Sequence, residues 1–487
     1  SELGPHGNSR TRWEMEAQGH FSLEGAIEMA WMMGFITHFS GIIEGQPYSG
    51  WVDTETKQPV ADTAIKPIYE EKILAHSGIR FIEPELCDGY DPEKKQFLHE
   101  IVLQADLEPL CVPGLLAEQM RREHGVFVTV QKSSTPDLYQ VQLRKGARVF
   151  IPRAMQFDRA VAGLVPTGWD PRIYGLPDQI ISEVDRLTLY TLVCTVEALL
   201  SSGITDPYEL YQYIHVSEVG NCIGSGMGGS TSLRKMFNGR FIGQEVQSDI
   251  LQETFVNTIS AWVNMLLLSA SGPIRTPVGA CATAVESLEL GYDTIVTGKA
   301  KFCLVGGCDD FTSETSFEFA NMKATTNSIE EIARGRAPSE MSRPTTTTRN
   351  GFMESQGCGL QVLTTADLAL KMGLPIRGIV AFVSTSSDKA SRSVPAPGQG
   401  VLVNARRTIS ASNLSSPLLK MINRRRRLDF RRKQIAEARA LALDQLDFEV
   451  DVVLEQDPGV DVVKYRKERH EQIRMDFLQE ERDAQYS

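Results

Sequence analysis

Gly279-Ala280-Cys281-Ala282-Thr283-Ala284-Val285-Glu286-Ser287 decides how the rest of this 487-residue sequence is read. One cysteine stands among small residues where a strand is expected to end and a helix to begin. The first amides of a helix lack internal partners and carry the positive end of its dipole, so they favour a thiolate over a thiol. Small neighbours at a strand-to-helix turn suit a nucleophile elbow, where bulk would block an incoming carbonyl. Cys281 is therefore the candidate catalytic residue. The bland alternative for such a cysteine is inert packing, and Cys222, Cys303, Cys308 and Cys358, which lack this context, take that reading.

On either side, strands and helices alternate from about residue 146 to 403, which predicts an α/β architecture with a largely parallel sheet. Leu187 to Ser201 carries apolar residues at helical spacing and stops at Gly203. Tyr213 to Ile223 reads as a strand running into Gly224-Ser225-Gly226-Met227-Gly228-Gly229. A long apolar helix is expected over Thr254 to Ser269, a further helix from the Cys281 turn to about Thr297, and a buried strand at Phe302 to Gly307. Residues 1–145 combine a Met-rich helical stretch (Leu23 to Ile36) with β-prone runs such as Val126 to Val130. They read as a mixed α+β lead-in module without chemistry of its own, its methionines serving as core. Residues 404–487 turn to charge, with Arg424 to Arg427 and Arg431-Arg432-Lys433, and read as a largely helical or disordered insertion with a solvated face.

The length allows roughly two to three domains. Apolar content of 42% with 23% charged residues marks a globular chain rather than a disordered one. A net charge of −12 leaves no broad basic field, which excludes nucleic acid and acidic membranes as main partners. Cys87, Cys111, Cys194, Cys222, Cys281, Cys303, Cys308 and Cys358 form no C-x-x-C pair and read as reduced, cytoplasmic thiols. The Cys303/Cys308 spacing invites a metal, but no histidine or further cysteine pair completes a site, so none is expected. The longest apolar run, Ala261 to Ala270, is broken by Asn264 and falls short of the ~20 residues of a membrane span. An opening Ser-Glu-Leu-Gly without methionine or an apolar signal core reads as the interior of something longer.

Gly224-x-Gly226-x-x-Gly229 also fits the dinucleotide fingerprint, in which a helix start holds pyrophosphate. That makes an NAD(P)-linked reductase a competing reading. Its weakness is the ribose-binding acid: Glu245 and Asp249 lie at the right distance, yet Phe241 to Ile250 does not read as a buried strand ending in an acid. A tight turn near an active-site cysteine explains the same glycines.

Gly279 to Ala284 resembles the nucleophile motif of the β-ketoacyl synthases. Gly224 to Gly229 resembles the glycine turn near the start of their fold, and Arg343-Pro344 with Arg349-Asn350-Gly351-Phe352-Met353 a further segment. Gly4-Pro5-His6-Gly7-Asn8, Gly50-Trp51-Val52-Asp53, His215-Val216-Ser217-Glu218-Val219-Gly220-Asn221 and Ser342-Arg343-Pro344 resemble one branch, the α subunits of fungal type I fatty acid synthases, over residues 1 to about 405. The resemblance implies a thiolase-like layered fold, with residues 146–403 as the N-terminal half of a ketoacyl synthase. Residues 1–145 would then lie between a ketoreductase and that synthase. It implies an acyltransferase: Cys281 accepts a fatty acyl chain from acyl carrier protein, and malonyl-carrier decarboxylates and attacks the thioester to give a 3-ketoacyl product. The N–H of Cys281 would help hold the oxyanion. Also implied are a cytoplasmic multienzyme using carrier-borne phosphopantetheine and NADPH, with no cofactor in this region. A homodimer within a larger α/β assembly follows too, with Phe302 to Gly307 near its two-fold axis.

Departures from that pattern matter as much. The family's two histidines, one in His-Gly-Thr and one after a glycine downstream of a lysine, have no counterpart among His6, His20, His38, His76, His99, His124, His215 and His470. Gly19-His20 imitates the second motif but lies far upstream of Cys281. The sequence is therefore expected to be the front half of a synthase, ending before its second half. Gln356 stands where a Gly-Glu-Gly-Ala-Gly element carries glutamate. A third reading is a non-catalytic scaffold that positions neighbouring domains.

Overall fold

The computed structural model describes residues 1–84, 94–241, 243–268, 270–387, 400, 404, 421–456 and 458–486. Cys87, Ser269 and the expected boundary residue 403 lie outside the described residues. A four-stranded sheet runs in the order Glu2–Leu3, Gly357–Thr364, Phe302–Asp309, Val219–Gly224. Glu2–Leu3 joins Gly357–Thr364 antiparallel, with Leu3 opposite Cys358, so the sheet is not purely parallel. Every residue of Val219–Gly224 is buried, which explains why the strand shows no polar alternation.

Two compact units divide the chain. The first comprises Ser1–Ser201, Ile223–Ser269 and Gly307–Gln361. Its helix Arg186–Ser201 is buried from Leu187 through Thr195, matching the expected helix and its stop at Gly203, where φ is +83°. The Met-rich stretch is a helix only over Leu23–Met32; Ile36 already opens a hairpin, Ile36–Ile43 against Gln46–Asp53. The β-prone run forms Val128–Lys132, one of three strands packed with helix Gly114–His124 around Val112, Ala117 and Val141.

A buried acid in this unit makes its stability pH-dependent. Burial pushes the Glu354 carboxyl up to about 7, although the Ser316 hydroxyl donates to it at 2.6 Å and Arg159 attracts its charged form. The folded state therefore binds this proton more tightly than the unfolded chain does, whose carboxyl titrates near 4.5. Stability must fall as pH rises from that ordinary range through 7 and level off above it. Glu354→Gln should remove this slope, gaining about 2 to 3 kcal/mol over the native residue between pH 5 and pH 8. Urea midpoints at the two pH values check it; parallel pH profiles would contradict it.

The second unit comprises Ser202–Cys222, Ala270–Gly306 and Val362–Ser487. Tyr213 to Glu218 is not strand as expected, because the His215 side chain and Glu218 form a reciprocal cap that winds Val216–Glu218 into a tight turn. Among its described residues the charged tail forms three helices, Met421–Asp444, Leu446–Gln456 and Val462–Tyr486, that bury Ile435, Leu446, Val450 and Ile473. Arg469 pairs with Glu449 at 2.9 Å and Arg431 with Glu480 at 3.7 Å on their surfaces. No helix among the described residues is long and apolar enough to cross a membrane.

Candidate active site

Residues 270–279 lead into the cysteine, and they are not the strand that was expected. Pro273 and Pro277 lack the N–H that a ladder needs. Pairing with Val219–Gly224 is one parallel bridge, in which Asn221 N–H donates to Pro273 and Arg275 N–H to Asn221, each at 2.9 Å. The chain then reverses sharply. Ala280 sits at φ +49°, a left-handed conformation that costs a β-carbon-bearing residue roughly 1 to 2 kcal/mol. Thr283 holds that reversal: its hydroxyl accepts from Gly279 N–H at 3.0 Å and donates to the Ala280 carbonyl at 2.8 Å.

Cys281 lies in the single tight turn Ala280–Ala282 that opens directly into helix Thr283–Val296, and it is exposed. No side chain caps that helix start, whose first amides carry the positive end of its dipole. Small side chains then let the helix approach the strands. The Ser287 hydroxyl donates to the Cys222 carbonyl at 2.6 Å and accepts from Gly306 N–H at 2.7 Å, linking helix and two strands. One turn on, a β-carbon at Gly291 would overlap Val305. Leu288 and Ile295 pack on Cys222, Cys303 and Val305.

Sequence reading missed Glu286. Its carboxylate folds back over the turn, where a β-carbon on Gly279 would overlap it. The only signal was an acid in the first helical turn, which ordinarily means favourable interaction with the dipole. Here the side chain covers the backbone of the turn at Gly279 instead.

The glycine turn has the predicted placement, strand Val219–Gly224 before it and helix Ser230–Phe241 after it. Its amides are taken, however. Asp309 Oδ1 accepts from Gly226 N–H at 2.9 Å, Met227 N–H at 3.2 Å and the Ser225 hydroxyl at 2.9 Å, occupying the place a pyrophosphate oxygen would need. Gly229 is required for packing, since a β-carbon there would overlap the Glu253 carbonyl. Asp249 only precedes the short helix Ile250–Glu253, and no strand among the described residues brings Glu245 or Asp249 to a ribose. Gly224, Gly226 and Gly229 thus build a protein turn, and the reductase reading is overturned.

Behind this turn lies a buried polar network. Asp185 accepts from Ser232 N–H at 2.8 Å, Glu253 from Asp185 N–H at 2.9 Å, and Asp310 from the Gln356 amide at 2.8 Å. Burial pushes the Asp310 carboxyl up, although the Arg186 charge opposes that shift. A glutamate at 356 would add a further buried acid; the neutral amide instead donates to Asp310 and accepts from Val165 N–H at 2.8 Å. The Arg343 and Asn350 motif closes on another buried acid, Glu331, at 2.6 Å and 3.3 Å.

The architecture and the cysteine turn define the class. The description "Beta-ketoacyl synthase, N-terminal domain" matches residues 118–369, and the chain belongs to that family. Among curated relatives, the fatty acid synthase subunit alpha of Penicillium patulum is 58% identical over 491 residues, covering 100% of this chain and 26% of its own length. That of Saccharomyces cerevisiae is 56% identical over 470 residues, covering 96% and 25%. The chain thus spans about a quarter of the length of the relatives it matches. Among solved structures, the ketosynthase FabY from P. aeruginosa superposes with a TM-score of 0.69 at 21% identity, over 83% of this chain and 62% of that one, which shows a shared ketosynthase fold.

Proposed function

We propose that this chain is the acyl-holding part of the β-ketoacyl-[acyl carrier protein] synthase of a multifunctional fatty acid synthase, with Cys281 as its nucleophile. The observation that carries the reading is an exposed cysteine in a strained turn at an uncapped helix start, inside the family match. The Cys281 thiolate attacks the thioester carbonyl of an acyl chain on the carrier's phosphopantetheine arm. The oxyanion is met by the N–H of Cys281, the carrier thiolate leaves, and the acyl group stays on Cys281. Malonyl-carrier then loses CO2, and its carbanion attacks the Cys281 thioester to form the 3-ketoacyl product and free the thiol. Polarising the malonyl thioester needs groups outside this sequence, since it holds neither of the family's histidine motifs.

The partners of this reading are the carrier domain, acyl and malonyl thioesters, and a second copy of the synthase region, with Phe302 to Gly307 nearest the two-fold axis. The compartment is the cytoplasm. NADPH belongs to the reductases of the complete assembly and not to this region. The test is mass spectrometry of the complete subunit after incubation with an acyl thioester. One acyl adduct on the Cys281 peptide is expected, and an adduct elsewhere or none at all would refute the reading.

A further inference from the structure

Acyl transfer leaves unused a pair of thiols beneath the nucleophile helix. Cys222 on strand Val219–Gly224 and Cys303 on the neighbouring strand Phe302–Asp309 are both fully buried, with their sulfurs 3.6 Å apart. Room for the pair is built in: a β-carbon on Gly220 would stand 3.1 Å from the Cys303 sulfur, and one on Gly291 3.5 Å. The Cys303 thiol donates to the Cys222 sulfur, which lowers the Cys222 thiol below its usual range and pushes Cys303 above it. One sulfur is thus readied as a nucleophile while its neighbour keeps the proton.

We propose that Cys222 and Cys303 are a peroxide-sensitive dithiol that closes to a disulfide between adjacent strands and thereby disturbs the seating of the Cys281 helix. The Cys222 thiolate attacks one oxygen of a hydroperoxide, the O–O bond breaks, and the leaving alkoxide or hydroxide takes a proton. Cys222 is now a sulfenic acid. The Cys303 sulfur attacks it, the S–S bond forms, and water leaves with the sulfenic oxygen and the Cys303 proton. Two thiols are oxidised by two electrons and the peroxide is reduced by two. A disulfide needs about 2.05 Å between sulfurs, so the pair must close from 3.6 Å. That movement is felt at the Cys222 carbonyl, the same group to which the Ser287 hydroxyl anchors the Cys281 helix.

The regulatory half of this inference rests on Cys281 being the acyl acceptor; the dithiol half does not. The test treats the complete subunit with hydrogen peroxide, quenches with catalase, alkylates after denaturation and maps unreduced peptides. A cross-linked pair carrying Cys222 and Cys303, two hydrogens lighter than the sum, is expected. Acyl loading of Cys281 should slow at least about tenfold and recover with dithiothreitol. Cys303→Ala should lose both the cross-link and the reversible slowing. Recovery of both cysteines as alkylated thiols at doses that already oxidise Cys281 would overturn the dithiol. So would a link confined to the separate buried group Cys194, Cys308 and Cys358. A cross-link without slowing overturns the coupling to the helix. A subunit that accepts no acyl group even when reduced refutes the acyl-acceptor reading and leaves the cross-link result standing.

Discussion

Cys281→Ala should abolish acyl loading of the complete subunit and lower condensation by at least about 10³-fold, because among the described residues no other thiol stands in a comparable turn. The substitution is structurally mild. The neighbours are Ala280 and Ala282 and the cysteine is exposed, so the free energy of urea unfolding should change by less than about 0.5 kcal/mol. Loss of chemistry without loss of stability separates a nucleophile from a packing residue, which a scaffold reading would require. Intact-mass spectra with palmitoyl thioester, taken beside denaturation curves, decide the matter. A variant that still carries one acyl group per chain would remove Cys281 from its role.

The second large effect concerns stability. Asp309→Ala should destabilise the protein by about 2 kcal/mol or more, since it removes the acceptor of the partly buried Ser225 hydroxyl and Gly226 amide, each costing roughly 1 to 3 kcal/mol when left unpaired; the exposed Met227 amide keeps the Ser225 hydroxyl oxygen as an acceptor at 3.3 Å. Asp309→Asn keeps an acceptor oxygen and should lose less than half as much. A loss below about 0.5 kcal/mol for the alanine variant would mean that the turn does not depend on this acid. Fluorescence titration of the native subunit region with NADPH belongs beside it: saturable binding that Asp309→Ala strengthened would revive a phosphate site at these amides.

What could be read from the chain was what depends on neighbours in sequence. Small residues around Cys281 announce a sharp turn into a helix, and Gly224 to Gly229 announces another. The interpretation of the second turn was ambiguous because its occupant, Asp309, stands 83 positions beyond Gly226. Local pattern carries no information about which acid folds back. The same holds for Glu286, whose spacing is ordinary and whose place over the Gly279 turn arises from the path of its side chain. Thr254 to Ser269 reads as one apolar helix, yet the helices are Ile250–Glu253 and Thr258–Leu266. Glu253 turns inward to accept from Asp185 N–H and from the Trp262 indole at 3.0 Å, and the chain breaks after it. A tertiary hydrogen bond outweighed helical propensity there.

The two prolines before the cysteine also bear on the border of the sheet. Val219–Gly224 is buried along its whole length and ends the order of its sheet, the kind of border on which foreign strands grow. The run that flanks it can offer only a single bridge. Prolines at 273 and 277 lack the N–H that edge-to-edge pairing would need, and the irregular backbone they enforce leaves Cys281 in a tight turn rather than locked in a ladder.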